Sequence, residues 1–97
     1  MRTFNRLSPT RVRTLRKQGR YGDGRGLWLQ ISKGGTKAWL FRFMINGRAR
    51  QMGLGPIHTI SLWQARILAR RARQLLVQGI DPIAERNEMK ARQIWRP

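Results

Sequence analysis

The chain has no cysteine in its 97 residues, which excludes disulfides, iron–sulfur clusters and thiolate zinc sites. Its one histidine, His58, cannot build an imidazole metal site. Acid is scarce as well: four Asp or Glu stand against 21 Lys or Arg, for a formal net charge of +17. None of the four lies between Asp23 and Asp81, an interval that holds ten Lys or Arg. The folded body itself is therefore cationic, and it repels itself unless a polyanion neutralises it. Nucleic acid is the first partner this implies and an anionic membrane surface the second. The acids Asp23, Asp81, Glu85 and Glu88 form no pair spaced for acid–base work, so neither catalysis nor a small-molecule substrate is expected. Apolar runs are far too short to span a membrane, and the basic N-terminus lacks the apolar segment of a signal peptide. The expected location is cytoplasmic and reduced, without cofactor or metal. A chain of 97 residues holds one small domain with tails, not a two-domain enzyme.

Local patterns suggest the order of elements. Ser8 and Pro9 are N-cap and first-turn residues for a short helix over 8–18, with Val12 and Leu15 on one face. The run GRYGDGRG, 19–26, reads as a loop. It is not a phosphate-binding loop, because no strand precedes it and no Gly-Lys-Ser/Thr follows. LWLQIS (27–32) alternates, with Leu27, Leu29 and Ile31 on one face and Trp28 and Gln30 on the other. KAWLFRFMIN (37–46) puts Trp39, Phe41, Phe43 and Ile45 inward and Leu40, Arg42 and Met44 outward. Asn46-Gly47 is a strong hairpin signal, and RARQMGLG (48–55) follows as a third strand.

Three antiparallel strands with one apolar face need a cover. Ser61 caps a helix over 62–78. Its residues Leu62, Ala65, Leu68, Ala69, Ala72, Leu75 and Leu76 fall within a stripe of about 140°. Arg66, Arg70 and Arg73 flank the stripe as a basic row, and Gly79 suits the C′ position. Trp63 and Ile67 lie off it and read as a satellite cluster under a loop. Asp81-Pro82 starts a last helix over 83–95 with a thin apolar set of Ile83, Met89, Ile94 and Trp95. The predicted class is α+β: a three-stranded antiparallel sheet on one main helix, with a short N-terminal helix and a C-terminal linker helix. Residues 1–80 form the domain, and 81–97 lead toward a region absent from the sequence.

The segments DGRGLWLQIS, KAWLFRFMINGRARQMGLG and SLWQARILARRARQLLVQGIDPIAER, in that order and spacing, resemble a known family. It is the N-terminal arm-type DNA-binding domain of phage and prophage tyrosine-recombinase integrases, in the satellite-phage-like group. The resemblance runs over about 7–90 and rests on Asp23, Gly26 to Leu29, Trp39, Phe41 to Phe43, Asn46 to Arg48, Leu54, Gly55, Ser61, Leu62, Ala65, Arg66, Gly79, Asp81 and Pro82. Where the family has Leu, this chain has Met52. The resemblance implies that the open sheet face enters the major groove of arm-type sites. The tyrosine nucleophile belongs to a downstream catalytic domain absent here, and nothing transfers that role to Tyr21.

The resemblance thus implies double-stranded DNA as partner, in the cytoplasm of a bacterial host. It also implies other integrase protomers, or an excisionase or host DNA-bending protein, as protein partners. The expected contact set is Arg42, Gln30, Gln51 and Trp28 from the open face. Lys33, Lys37, Arg48, Arg50, Arg66 and Arg70 join it from strand ends and flanks. On its own the chain is not expected to be an enzyme; it reads as an excised domain or truncated frame. Two other readings compete with this one. One is a small basic RNA-binding or ribosome-associated protein. The other is a docking module that uses Trp28, Leu40 and Met44.

Overall fold

Four strands, not three, build the sheet in the computed structural model, which describes residues 6–94. The elements run α1 (Pro9–Thr14), β1 (Gly19–Gly24), β2 (Leu27–Ile31), β3 (Lys37–Ile45), β4 (Arg48–Pro56), α2 (Leu62–Val77) and α3 (Pro82–Ile94). Strand order is β1-β2-β3-β4 and every pair is antiparallel, so the α+β class holds with one extra strand. The added strand is the segment expected to be a loop.

A glycine-rich run becomes a strand here for a reason of packing. Gly22 faces Trp28 across the β1–β2 ladder, and a Cβ at Gly22 would lie 3.3 Å from the indole ring. Glycine is what lets the ring lie flat over the neighbouring strand. Tyr21 points to the other face opposite Leu29, and its hydroxyl donates to the Lys17 carbonyl at 2.6 Å. The pairing shifts register between Gly22 and Gly24, which leaves Asp23 in a bulge and turned inward.

The remaining sheet follows the alternation. Leu27, Leu29, Ile31, Trp39, Phe41, Phe43 and Met52 are buried on one face. At the β3–β4 turn, Asn46 and Gly47 have φ of 52° and 76°, the two positive values a type I′ hairpin requires.

α2 covers that face. Its start is a full capping box: Ser61 Oγ accepts from the Gln64 amide at 3.1 Å, and Gln64 Oε1 accepts from the Ser61 amide at 2.9 Å. Leu62, Ala65, Ala69 and Ala72 are its buried residues, and the three alanines let the helix backbone approach the sheet. Leu68, Leu75 and Leu76, expected in the same stripe, are half-buried at its margins. Past Val77 the chain turns away at Gly79, where the Gly79 and Ile80 amides donate to the carbonyls of Leu76 and Leu75.

Two expectations need revision beside the strand count. The N-terminal helix stops at Thr14 because Leu15 turns extended, with ψ of 132°. Lys37 Nζ then takes the carbonyls of Val12 and Arg13 at 2.8 and 3.0 Å. Trp63 and Ile67 do not lie under a loop; they are 70% and 47% exposed on the outer side of α2. α3 is tied to the sheet by buried Pro82, by Arg50–Asp81 at 2.7 Å, and by Arg86 donating to the Gly53 carbonyl. Trp95, expected in its apolar set, lies outside the described residues.

Candidate nucleic-acid interface

Strand pairing decides which side chains share the sheet face that the helices leave uncovered. Arg20 pairs with Gln30, Gly22 with Trp28, Trp28 with Leu40, and Arg42 with Gln51. Met44 and Ala49 continue the same face toward the hairpin. Arg42, Met44, Ala49, Gln51 and Gly53 are exposed there, while Trp28, Gln30 and Leu40 are half-buried. No acidic residue stands on this face among the described residues. Two Arg and two Gln carry forked donors and donor–acceptor pairs of the kind that match base edges, and they are held on paired strands. Four of the ten expected contact residues, Trp28, Gln30, Arg42 and Gln51, are therefore brought together.

The other six divide. Lys33 is exposed in the β2–β3 turn and Arg48 is exposed beside the Asn46-Gly47 hairpin, at opposite ends of the sheet. Arg70 is exposed on α2. Lys37, Arg50 and Arg66 have partners within the chain. Lys37 holds the end of α1, and Arg50 pairs with Asp81. Arg66 is the most committed of the three. Its Nε donates to Asp23 Oδ2 at 2.9 Å, and its Nη2 donates to Asp23 Oδ1 and to the Leu7 carbonyl, each at 2.9 Å. The hydrogen bond that Arg66 donates to Asp23 raises the Arg66 pKa above its ordinary value against the opposing effect of burial.

Arg20, in the segment expected to be a loop, stands outside that expected set. It sits on the open face with its Nε donating to Gln30 Oε1 at 3.1 Å, which orients both side chains. Together with Arg6 and Arg11 it lines a hollow beside Trp28. The period-two pattern Arg20, Tyr21, Gly22 was the available signal; three glycines within 19–24 masked it.

Among the described residues no group of His, Cys, Asp or Glu could hold a metal, and no helix is long and apolar enough to cross a membrane.

A basic α+β domain with one sheet face packed under helices and the other open and, among the described residues, free of acid is built as a nucleic-acid-binding module. The chain belongs to the Arm DNA-binding domain family, whose sequence profile it matches over residues 7–89. It is 35% identical over 77 residues to the integrase of Enterobacteria phage P4, an alignment covering 77% of this chain and 18% of that protein. It is also 35% identical over 66 residues to the prophage integrase IntZ of Escherichia coli K12, covering 68% of this chain and 16% of the relative. The integrase of Shigella phage Sf6 is 36% identical over 61 residues, covering 63% and 16%. The chain thus spans less than a fifth of the length of these relatives.

Proposed function

We propose that this chain is the arm-site DNA-binding module of a phage-type tyrosine-recombinase integrase, and that it lays its open sheet face in the major groove. The observation that carries the reading is the acid-free face shared by Arg20, Trp28, Gln30, Arg42 and Gln51. A two-stranded ribbon such as β3–β4, which carries Arg42 and Gln51, fits the major groove, where each base pair shows a distinct donor and acceptor pattern. Arg42 stands mid-strand and reads bases, with guanine O6 and N7 as its natural partners. Lys33 and Arg48, at the two ends of the sheet, hold the flanking phosphates. The module serves DNA integration and recombination in a bacterial host by positioning a catalytic region on DNA, and residues 81–97 lead toward that region. Other integrase protomers, or an excisionase or host DNA-bending protein, assemble with it on the DNA.

Two results are expected from titrations with a duplex selected by the chain from a random pool. If about four to six phosphates are neutralised, log K against log salt falls with a slope of about −4 to −5. A flat salt response contradicts any nucleic-acid role. Arg42→Ala weakens the selected duplex by about 1–3 kcal/mol and narrows its margin over a scrambled duplex. Equal losses on both duplexes exclude base readout through this residue, and tighter binding to structured RNA than to either duplex favours the RNA-binding reading.

A further inference from the structure

The outer edge of β1 gathers three arginines where the open face ends. The N-terminal segment runs beside that strand, with the Arg6 amide donating to the Asp23 carbonyl at 3.1 Å and Leu7 buried. α1 follows, with the Arg11 amide donating to Ser8 Oγ at 3.2 Å. These backbone bonds bring Arg6 and Arg11 beside Arg20, and the three line a hollow of about 430 Å³ that has the Trp28 indole as an apolar wall. All three arginines are exposed. Among the described residues only Arg20 has a side-chain partner, and that bond, from its Nε to Gln30, leaves both terminal nitrogens uncommitted. No carboxylate among the described residues lines the hollow, because Asp23, the acid of β1, is buried and bonded to the Leu7 amide and Arg66. Three guanidinium groups around one hollow repel one another, and an oxyanion seated among them relieves that penalty.

The spacing of the sheet says which part of a duplex this edge meets. Neighbouring strands stand about 4.8 Å apart, so β1 lies about 12 Å from the midline of the β3–β4 ribbon. A major groove is about 12 Å wide, so with that ribbon centred in it the groove wall falls only about 6 Å out. β1 therefore overlies the sugar-phosphate backbone and not the bases. Arg20 carries the same forked donor as Arg42 but stands beyond the reach of base edges.

We infer that Arg6, Arg11 and Arg20 form a phosphodiester clamp at the β1 edge, with a deoxyribose of the same DNA strand packed on Trp28. The inference rests on the DNA-binding reading and deepens it. It divides the open face into a ribbon that reads bases and an edge that holds backbone.

The test compares the unsubstituted chain with Arg6→Gln/Arg11→Gln on the selected duplex and its scrambled counterpart across a salt series. It repeats the selected duplex with single neutral methylphosphonate linkages placed in turn along each strand. In the double variant both duplexes are expected to weaken by the same factor, so the margin between them is kept, and the salt slope becomes shallower by about one to two. At the clamped linkage, a methylphosphonate that weakens the unsubstituted chain costs the variant little more. A variant that binds as the unsubstituted chain does overturns the clamp. So does a variant that loses more on the selected duplex than on the scrambled one, or one that is as sensitive as the unsubstituted chain at every linkage. In each of these cases the open-face reading stands as long as the unsubstituted chain prefers the selected duplex. Failure of the unsubstituted chain to bind any duplex overturns both. If the double variant does not fold, Arg11→Gln alone serves, with an expected change of about one in the slope.

Discussion

Trp39→Ala is expected to destabilise the domain by about 3–5 kcal/mol, enough to unfold much of a chain this small at room temperature. Trp39 is fully buried on the inner sheet face, paired with Leu29 on one side and Gly55 on the other. Truncation removes the largest side chain of the core and leaves a cavity that the alanine-lined side of α2 has no bulk to fill. It also orphans a polar group, because the indole Nε1 donates to the Ile60 carbonyl at 2.7 Å. That bond pins the segment leading into α2, so the loss reaches the Ser61 cap. Thermal melting by circular dichroism checks the result. Trp39→Phe retains most of the volume and should fall between the two. A shift of only a degree or two for Trp39→Ala would show that the inner face does not depend on this residue.

Asp23→Ala is expected to cost a similar amount, about 3–5 kcal/mol, by a different route. Asp23 is 2% exposed and accepts three hydrogen bonds, from the Leu7 amide at 2.8 Å and from two guanidinium nitrogens of Arg66. Its removal leaves the Arg66 charge, itself only a quarter exposed, without its counter-ion. It also leaves the Leu7 amide without its acceptor and so loosens the N-terminal segment, which the Arg6 amide still ties to the Asp23 carbonyl at 3.1 Å. Asp23→Asn retains an acceptor for the Leu7 amide but not the charge, so it should be milder than alanine. Because the pair is largely desolvated, the loss should change little between low and moderate salt, unlike that of an exposed pair. Chemical denaturation of the three proteins at two salt concentrations measures this. An Asp23→Ala chain as stable as the parent would mean that the ion pair is not what holds the N-terminal segment.

Legibility from sequence tracked how local each cause is. β2, β3 and β4 were readable because alternation and the Asn46-Gly47 turn are local signals, and α2 because Ser61, the apolar stripe and Gly79 mark its ends. β1 was hidden because its cause is remote: Gly22 is a strand residue on account of Trp28, and Asp23 turns inward on account of Arg66, 43 positions away. The same holds for the candidate interface. Trp28, Gln30, Arg42 and Gln51 follow from period two alone. Whether an arginine is available to DNA depends on a partner elsewhere in the chain. Arg50 finds Asp81 31 positions on, and Lys37 finds the carbonyl end of α1. Charge counts do not show such pairings. Trp63 and Ile67 failed for the opposite reason: an apolar pair off the main stripe suggests a cover, and none of the described elements provides one.

Whether DNA meets the open sheet face is reported directly by the indole N–H resonances of the protein. Trp28 lies on that face, Trp39 is buried beneath the sheet, and Trp63 is exposed on the outer side of α2. Assigned by single Trp→Phe variants, these signals can be followed while a selected duplex is added to one equivalent. A large shift or broadening of the Trp28 signal with little change at Trp63 is the predicted result. A Trp63 signal that moves while Trp28 stays in place would contradict it, because the DNA would then lie against α2 and not in contact with the sheet.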